Sequence, residues 1–284
     1  MVCTVFPLYD WTRNILGDDV EAELFWLTEA GADLHSFQAS AEDMIRVASA
    51  DLVIFAGGPS DDWLRKALEN KTEGLVLELS SLEGMELCAV SDESGHSHED
   101  GHDHVIDEHL WLSLHNAAVA TEAIVAALSE LSSEHAAELS ANGAAYLEKL
   151  TALDRDYKET VSSVENPRMI VADRFPFVYL AEAYGVEYCA AFSGCTTDVD
   201  ADLSVVIRLA EHLKEWELGG LVITERSDGA LAESVIRAAE VEKCRILKMN
   251  SMQSVRRSDA EGGMTYLSVM EENLQQLALA IQGD

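Results

Sequence analysis

The chain has 284 residues and 48% hydrophobic side chains, enough to bury a core, so an acidic disordered polymer is excluded. Lys and Arg number 19 against 52 Asp and Glu, a formal net charge of −33, which leaves no basic face for a phosphate backbone and argues against nucleic-acid binding. No segment approaches the roughly 18 continuous apolar residues of a membrane-spanning helix.

The chain opens on a strand-like run, residues 2–6, and leads into a helix carrying Trp11, Ile15 and Leu16. No charged or apolar leader pattern precedes it, which fits either a cytosolic chain or one whose leader has been removed. Residues 51–56 and 75–79 are buried-strand candidates, the first ended by Gly57, Gly58 and Pro59. Residues 83–108 are rich in Glu, Asp, Ser, Gly and His, the composition of a surface loop. A helix is expected to start near Ser132 and to stop before Asn166 and Pro167. Its apolar stripe is Tyr146, Leu150, Leu153, Tyr157, Val161 and Val164, a 3.6-residue period. Alternation then returns, with strands expected at 169–172, 187–191, 220–224 and 245–248 and helices at 203–216, 230–240 and 266–281. Strands separated by helices predict parallel sheets with helices on their faces.

The cysteines are Cys3, Cys88, Cys189, Cys195 and Cys244, with no Cys-x-x-Cys pair, so neither a zinc ribbon nor a thioredoxin-type motif is available. Cys189 and Cys195 are open to pairing or to remaining two thiols. Of nine histidines, six lie between positions 96 and 115. His96, His98, His102 and His104 alternate with small or acidic residues, and imidazoles flanked by carboxylates suit zinc, copper or nickel. A mobile loop of this kind captures or ferries metal rather than enforcing one geometry. His35 and His109 are isolated and on position alone read as ordinary partly buried histidines. His115 is expected at a helix start facing solvent, and His135 and His212 on helix surfaces.

Several motifs, taken in order, resemble the metal-specific solute-binding proteins of bacterial ABC importers, the class that delivers zinc or manganese. They are the opening residues 6–11, residues 31–35 with His35, residues 51–63 with the following strand and Trp63, and the His-rich loop. Residues 107–112 with His109, the long helix, and the closing helix within 263–273 complete the series. The resemblance implies an α/β fold of two Rossmann-like lobes joined by a long rigid backbone helix, with metal in the cleft between the lobes. On this chain the N-terminal lobe is 1–112, including the His-rich loop 91–108. The linking helical region is 113–165 and the C-terminal lobe is 166–284.

His35 and His109 fall on the first two ligand positions of that family. The third falls at Ala172, with Asp173 the nearest substitute carboxylate, and the fourth at Asn250. Glu225 and Arg174 are expected to orient a ligand or balance charge beside it. His96, His98, His102 and His104 become an accessory metal-collecting loop. The implied function is an extracytoplasmic receptor, a cell-surface lipoprotein and monomer. It captures Zn2+, with Mn2+ second, and delivers it to the membrane permease of an ABC importer. Its binding weakens as protons compete for the imidazoles. Two alternatives stand beside it. One is a metallohydrolase with a zinc-bound water, although no His-Glu-x-x-His or Gly-x-Ser-x-Gly motif occurs. The other is a metal-buffering adhesin without a transport role.

Overall fold

In the computed structural model the described residues are 1–18, 20–69, 71, 73–89, 106–192 and 202–282. The chain forms two units, each with its own four-stranded parallel sheet.

The first unit contains Met1–Leu87, Ile106–Asp154 and Met252–Val269. Its strands are β1 (Val2–Cys3), β2 (Phe25–Trp26), β3 (Leu52–Phe55) and β4 (Leu75–Glu78), in the order β2-β1-β3-β4. Every residue of β3 is buried, which explains its unbroken apolar sequence: a parallel strand covered on both faces has no polar side. The helices are α1 (Phe6–Leu16), α2 (Ala41–Ser49), α3 (Asp62–Leu68), α4 (Leu114–Leu131) and the first part of α5 (Ala136–Ser162). The opening strand is shorter than the sequence suggests. Pro7 lies in the first turn of α1, where its fixed φ and missing N–H favour helix initiation, so the helix begins at Phe6. The helix α2 starts on a capping box in which Ser40 and Asp43 satisfy each other's backbone N–H groups.

The segment 252–269 belongs to this first unit, although the sequence reading grouped it with the second lobe. Asp10, fully buried on α1, accepts from the Tyr266 N–H at 2.9 Å and from Arg13 at 2.5 Å. Tyr266 donates its hydroxyl to the Trp111 carbonyl at 2.6 Å and packs edge-on against Trp11.

The second unit is built chiefly from Arg155–Ser251 and Met270–Asp284. Its strands are β5 (Arg168–Val171), β6 (Glu187–Ala190), β7 (Gly220–Thr224) and β8 (Arg245–Met249), in the order β6-β5-β7-β8. Its helices are α6 (Val178–Tyr184), α7 (Leu203–Glu215) and α8 (Ala230–Ala239). The short α9 (Arg257–Glu261) lies in the first unit, and α10 (Tyr266–Ile281) begins there and ends in the second. Ile170, Leu209, Leu213, Leu221, Ile223 and Val235 form the second unit's core between sheet and helices. The helix α5 runs 27 residues, about 40 Å at 1.5 Å per residue. Tyr146, Leu150, Leu153, Tyr157 and Val161 are buried along it as the stripe predicts, while Val164 falls beyond its end. The Tyr157 hydroxyl donates to the Met270 carbonyl at 2.6 Å.

The two sheets share one strand order, in which the connection reverses between the first and third strands. Ligand-binding groups collect at the carboxyl ends of strands at such reversals. Gly57–Asp61 follow β3, Asp173 follows β5 and Glu225 follows β7. The residues 91–105, with His96, His98, His102 and His104, lie outside the described residues, as does Cys195.

Candidate metal centre

His35 lies in a short 3-10 turn, Leu34–Ser36, rather than at a strand end. Asp33 caps that turn by accepting from the His35 N–H at 2.9 Å. His109 precedes another such turn, Leu110–Leu112, and is 1% exposed. These two isolated histidines, 74 positions apart in the sequence (109 minus 35), meet in the first unit with ring centroids 5.3 Å apart.

Each ring is held by its Nδ1. His109 Nδ1 is 2.9 Å from Asp107 Oδ1, which also accepts the His109 backbone N–H. His35 Nδ1 is 2.9 Å from Glu108 Oε2 and 3.2 Å from Ser60 Oγ. An ionised carboxylate only accepts, so these contacts place a ring proton on Nδ1 of each histidine. His109 Nε2 lies 2.9 Å from Gln253 Oε1. The neighbouring Met252 is buried with φ of 61°, in the left-handed region that non-glycine residues seldom occupy, and this turn precedes Gln253.

Glu108 is seated on the loop after β3. Ser60 donates to it through its N–H and, at 2.6 Å, through its hydroxyl. Gly58 allows this approach, since a Cβ there overlaps the Glu108 side chain. Burial alone raises the Glu108 pKa, but the hydrogen bonds from His35 and Ser60 outweigh it and hold the carboxyl below its ordinary value. Asp61 has the opposite balance. It is 2% exposed, and burial, reinforced by nearby Glu108, pushes its pKa up to about 7 despite the Gly57 N–H that it accepts. A carboxyl raised in the fold binds its proton more tightly there than in the unfolded chain, so its contribution falls as pH rises from about 4 to 7. Asp61→Asn keeps an acceptor for Gly57 and does not ionise. Its melting temperature is therefore expected to fall less than the wild type's across that window, read by thermal melts at stepped pH.

The second unit's residues are engaged differently. Asp173 Oδ2 accepts from the Thr224 N–H at 3.1 Å and the Thr224 hydroxyl at 2.5 Å, and Oδ1 accepts the Arg174 N–H at 2.8 Å. Ala172 is buried, with its N–H on Val222. Glu225 accepts from the Ser251 N–H at 3.0 Å and hydroxyl at 2.9 Å. The Asn250 backbone is bonded on both sides by the Asn273 side chain. Among the described residues, no group of three or more His, Cys, Asp or Glu stands together as a metal-binding cluster.

His115 lies in the first turn of α4, exposed, with Nε2 on the Gly84 carbonyl, as its position suggested. His135 sits in a 3-10 turn just ahead of α5, and His212 packs at a tilt against Trp216, so both are half-covered rather than fully on the surface. Glu108, Ser60 and Gln253 were not singled out from sequence. Glu108 and Asp107 adjoin His109 in the motif that carries it, which was an available signal; Ser60 and Gln253 had none.

The chain is 31% identical over 280 residues to the zinc-binding lipoprotein AdcA of Streptococcus pneumoniae serotype 4, covering 98% of this chain and 54% of that protein. The chain thus spans about half the length of that curated relative. It is 24% identical to the high-affinity zinc uptake system protein ZnuA of Bacillus subtilis, covering 98% of this chain and 86% of that one. Among solved structures it matches the Zn(II)-bound ZnuA-like domain of Streptococcus pneumoniae AdcA with a TM-score of 0.77 and 26% identity, covering 99% of this chain and 97% of that domain. The periplasmic zinc-binding protein TroA of Treponema pallidum shares the fold at a TM-score of 0.77 and 22% identity, covering 99% and 98%. The two parallel α/β units are thus the fold of these binding proteins, and with residues 1–280 matching its family model, the chain belongs to the ZnuA family, the periplasmic component A of zinc-uptake complexes.

Proposed function

We propose that this chain is an extracytoplasmic zinc receptor that delivers its ion to the membrane permease of an ABC importer. The carrying observation is the pair of histidine rings in the first unit, with centroids 5.3 Å apart and each Nδ1 held by a carboxylate, so that Nε2 is the nitrogen proposed to bind the ion. Imidazole nitrogens suit zinc and disfavour magnesium and calcium, which take mostly oxygen. Gln253 Oε1 lies 2.9 Å from His109 Nε2, which puts a neutral oxygen beside the nitrogen proposed to bind the ion.

His35 and His109 are the proposed zinc ligands of this unit, with Gln253 as a neutral oxygen donor beside them. The names of the curated relatives, a zinc-binding lipoprotein and a high-affinity zinc uptake protein, support the cargo, the location outside the cytoplasm, a lipid anchor and the import role. A binding component of this kind performs no chemistry on its cargo. The loop with His96, His98, His102 and His104 is proposed as an accessory collector. Chelator-competition titration of the purified chain is expected to give one tight zinc site, weaker for manganese, that is absent from the His35→Ala/His109→Ala double variant. An unchanged tight site in that variant overturns the reading.

A further inference from the structure

The donors proposed in the first unit carry no charge: two neutral imidazoles and one amide. Behind the rings lie two carboxylates, Asp107 and Glu108. The two carboxylates are adjacent in sequence but serve different histidines. Asp107 holds the ring two residues away on its own segment. Glu108 reaches to the ring of His35, on a segment 73 positions earlier (108 minus 35). One stretch of three residues, 107–109, therefore supplies one ring and orients both.

The seat of Glu108 is itself braced. Ser60 grips it with two donors. The loop beneath is fixed by Asp61 on the Gly57 N–H and by Arg65 on the Gly57 and Gly58 carbonyls. Arg65 is in turn anchored on Glu78 at 2.7 Å. Gly57 has φ of 97°, and a Cβ there overlaps Ser80 and Glu78, so the loop's path depends on glycine.

We propose that Glu108 is the positioning residue of the metal site: it fixes the tautomer and plane of the His35 ring, registers that ring to His109, and supplies part of the charge that the neutral donors lack. The proposal rests on the reading of His35 and His109 as zinc ligands. Loss of such a partner behind a metal-binding histidine weakens affinity roughly 10–100-fold.

The test pairs Glu108→Gln with Ser60→Ala. Gln keeps the shape and an acceptor oxygen but removes the charge, whereas Ser60→Ala keeps the charge and loosens the seat. Two readouts are taken on each: zinc affinity by chelator competition, and the ring ¹⁵N shifts of His35 in the metal-free protein. The expected result is a roughly 10–100-fold affinity loss in Glu108→Gln and a smaller loss in Ser60→Ala. In both, the His35 ring nitrogens move away from the wild-type Nδ1–H pattern. Affinity within twofold of wild type together with unchanged His35 nitrogen shifts overturns the proposal. If wild type binds no zinc, the receptor reading fails instead, while the nitrogen shifts still decide whether Glu108 holds the ring. Should Glu108→Gln fail to fold, Ser60→Ala carries both readouts.

Discussion

His109→Ala is expected to weaken zinc binding about 100-fold. Zinc in a protein site of four ligands is bound by roughly 10–16 kcal/mol, so one ligand accounts for about 3 kcal/mol, or two decades of affinity. The loss has a second part. His109 is buried, and its removal takes away the ring that contacts the Asp107 carboxylate and the Gln253 amide, both also buried. Each hydrogen bond lost costs about 0.5–1.5 kcal/mol, so the variant is also expected to melt lower than wild type in the absence of metal. Isothermal titration and metal-free thermal melts read the two parts separately. Tight binding within a few-fold of wild type removes His109 from the ligand set.

The largest expected effect on stability lies away from the site, at Asp10. Its carboxylate is 0% exposed and joins Tyr266 N–H to the guanidinium of Arg13, which is 39% exposed. Burial raises the Asp10 pKa above its ordinary value, against the pull of the Tyr266 N–H and of Arg13, so the ion is held at some cost. Removing one partner of a buried ion pair costs about 3–5 kcal/mol, and because Arg13 reaches water the lower end applies to Asp10→Ala. Asp10→Asn keeps an acceptor for Tyr266 and is expected to lose less. Urea unfolding of the three proteins checks the order, and an alanine variant as stable as wild type shows that the contact contributes nothing.

The fold was legible where one periodicity ran without interruption. The all-buried strand Gly220–Thr224 and the helix Tyr266–Ile281 match their sequence boundaries, because an apolar run bounded by turns and a long 3.6-residue stripe each have one reading. The first strand was overextended because Val5 and Phe6 are apolar in either state, and Pro7 decides for helix. The site was legible only through whole-chain resemblance. His35 and His109 each sit in a short segment that counts only as one of a series, and what makes them a pair is a meeting that neither neighbourhood encodes. Ser60 and Glu108 are 48 residues apart, and His109 and Gln253 are 144 apart. Such contacts exist only after the chain has folded, so composition and spacing carry no trace of them. Asn250 lies three residues before Gln253, the side chain that meets His109.

The return of Met252–Val269 to the first unit bears on how the protein is made. Synthesis runs from the amino end, and Asp10 waits for a partner 256 residues later in the chain. Gln253 reaches His109 only when that same late segment has left the ribosome. A chain stopped near residue 250 therefore lacks both the Tyr266 contacts and the amide beside the His109 ring. Contacts closed over so great a sequence distance form slowly. Residues 252–269 must therefore be present before these contacts of the first unit can close.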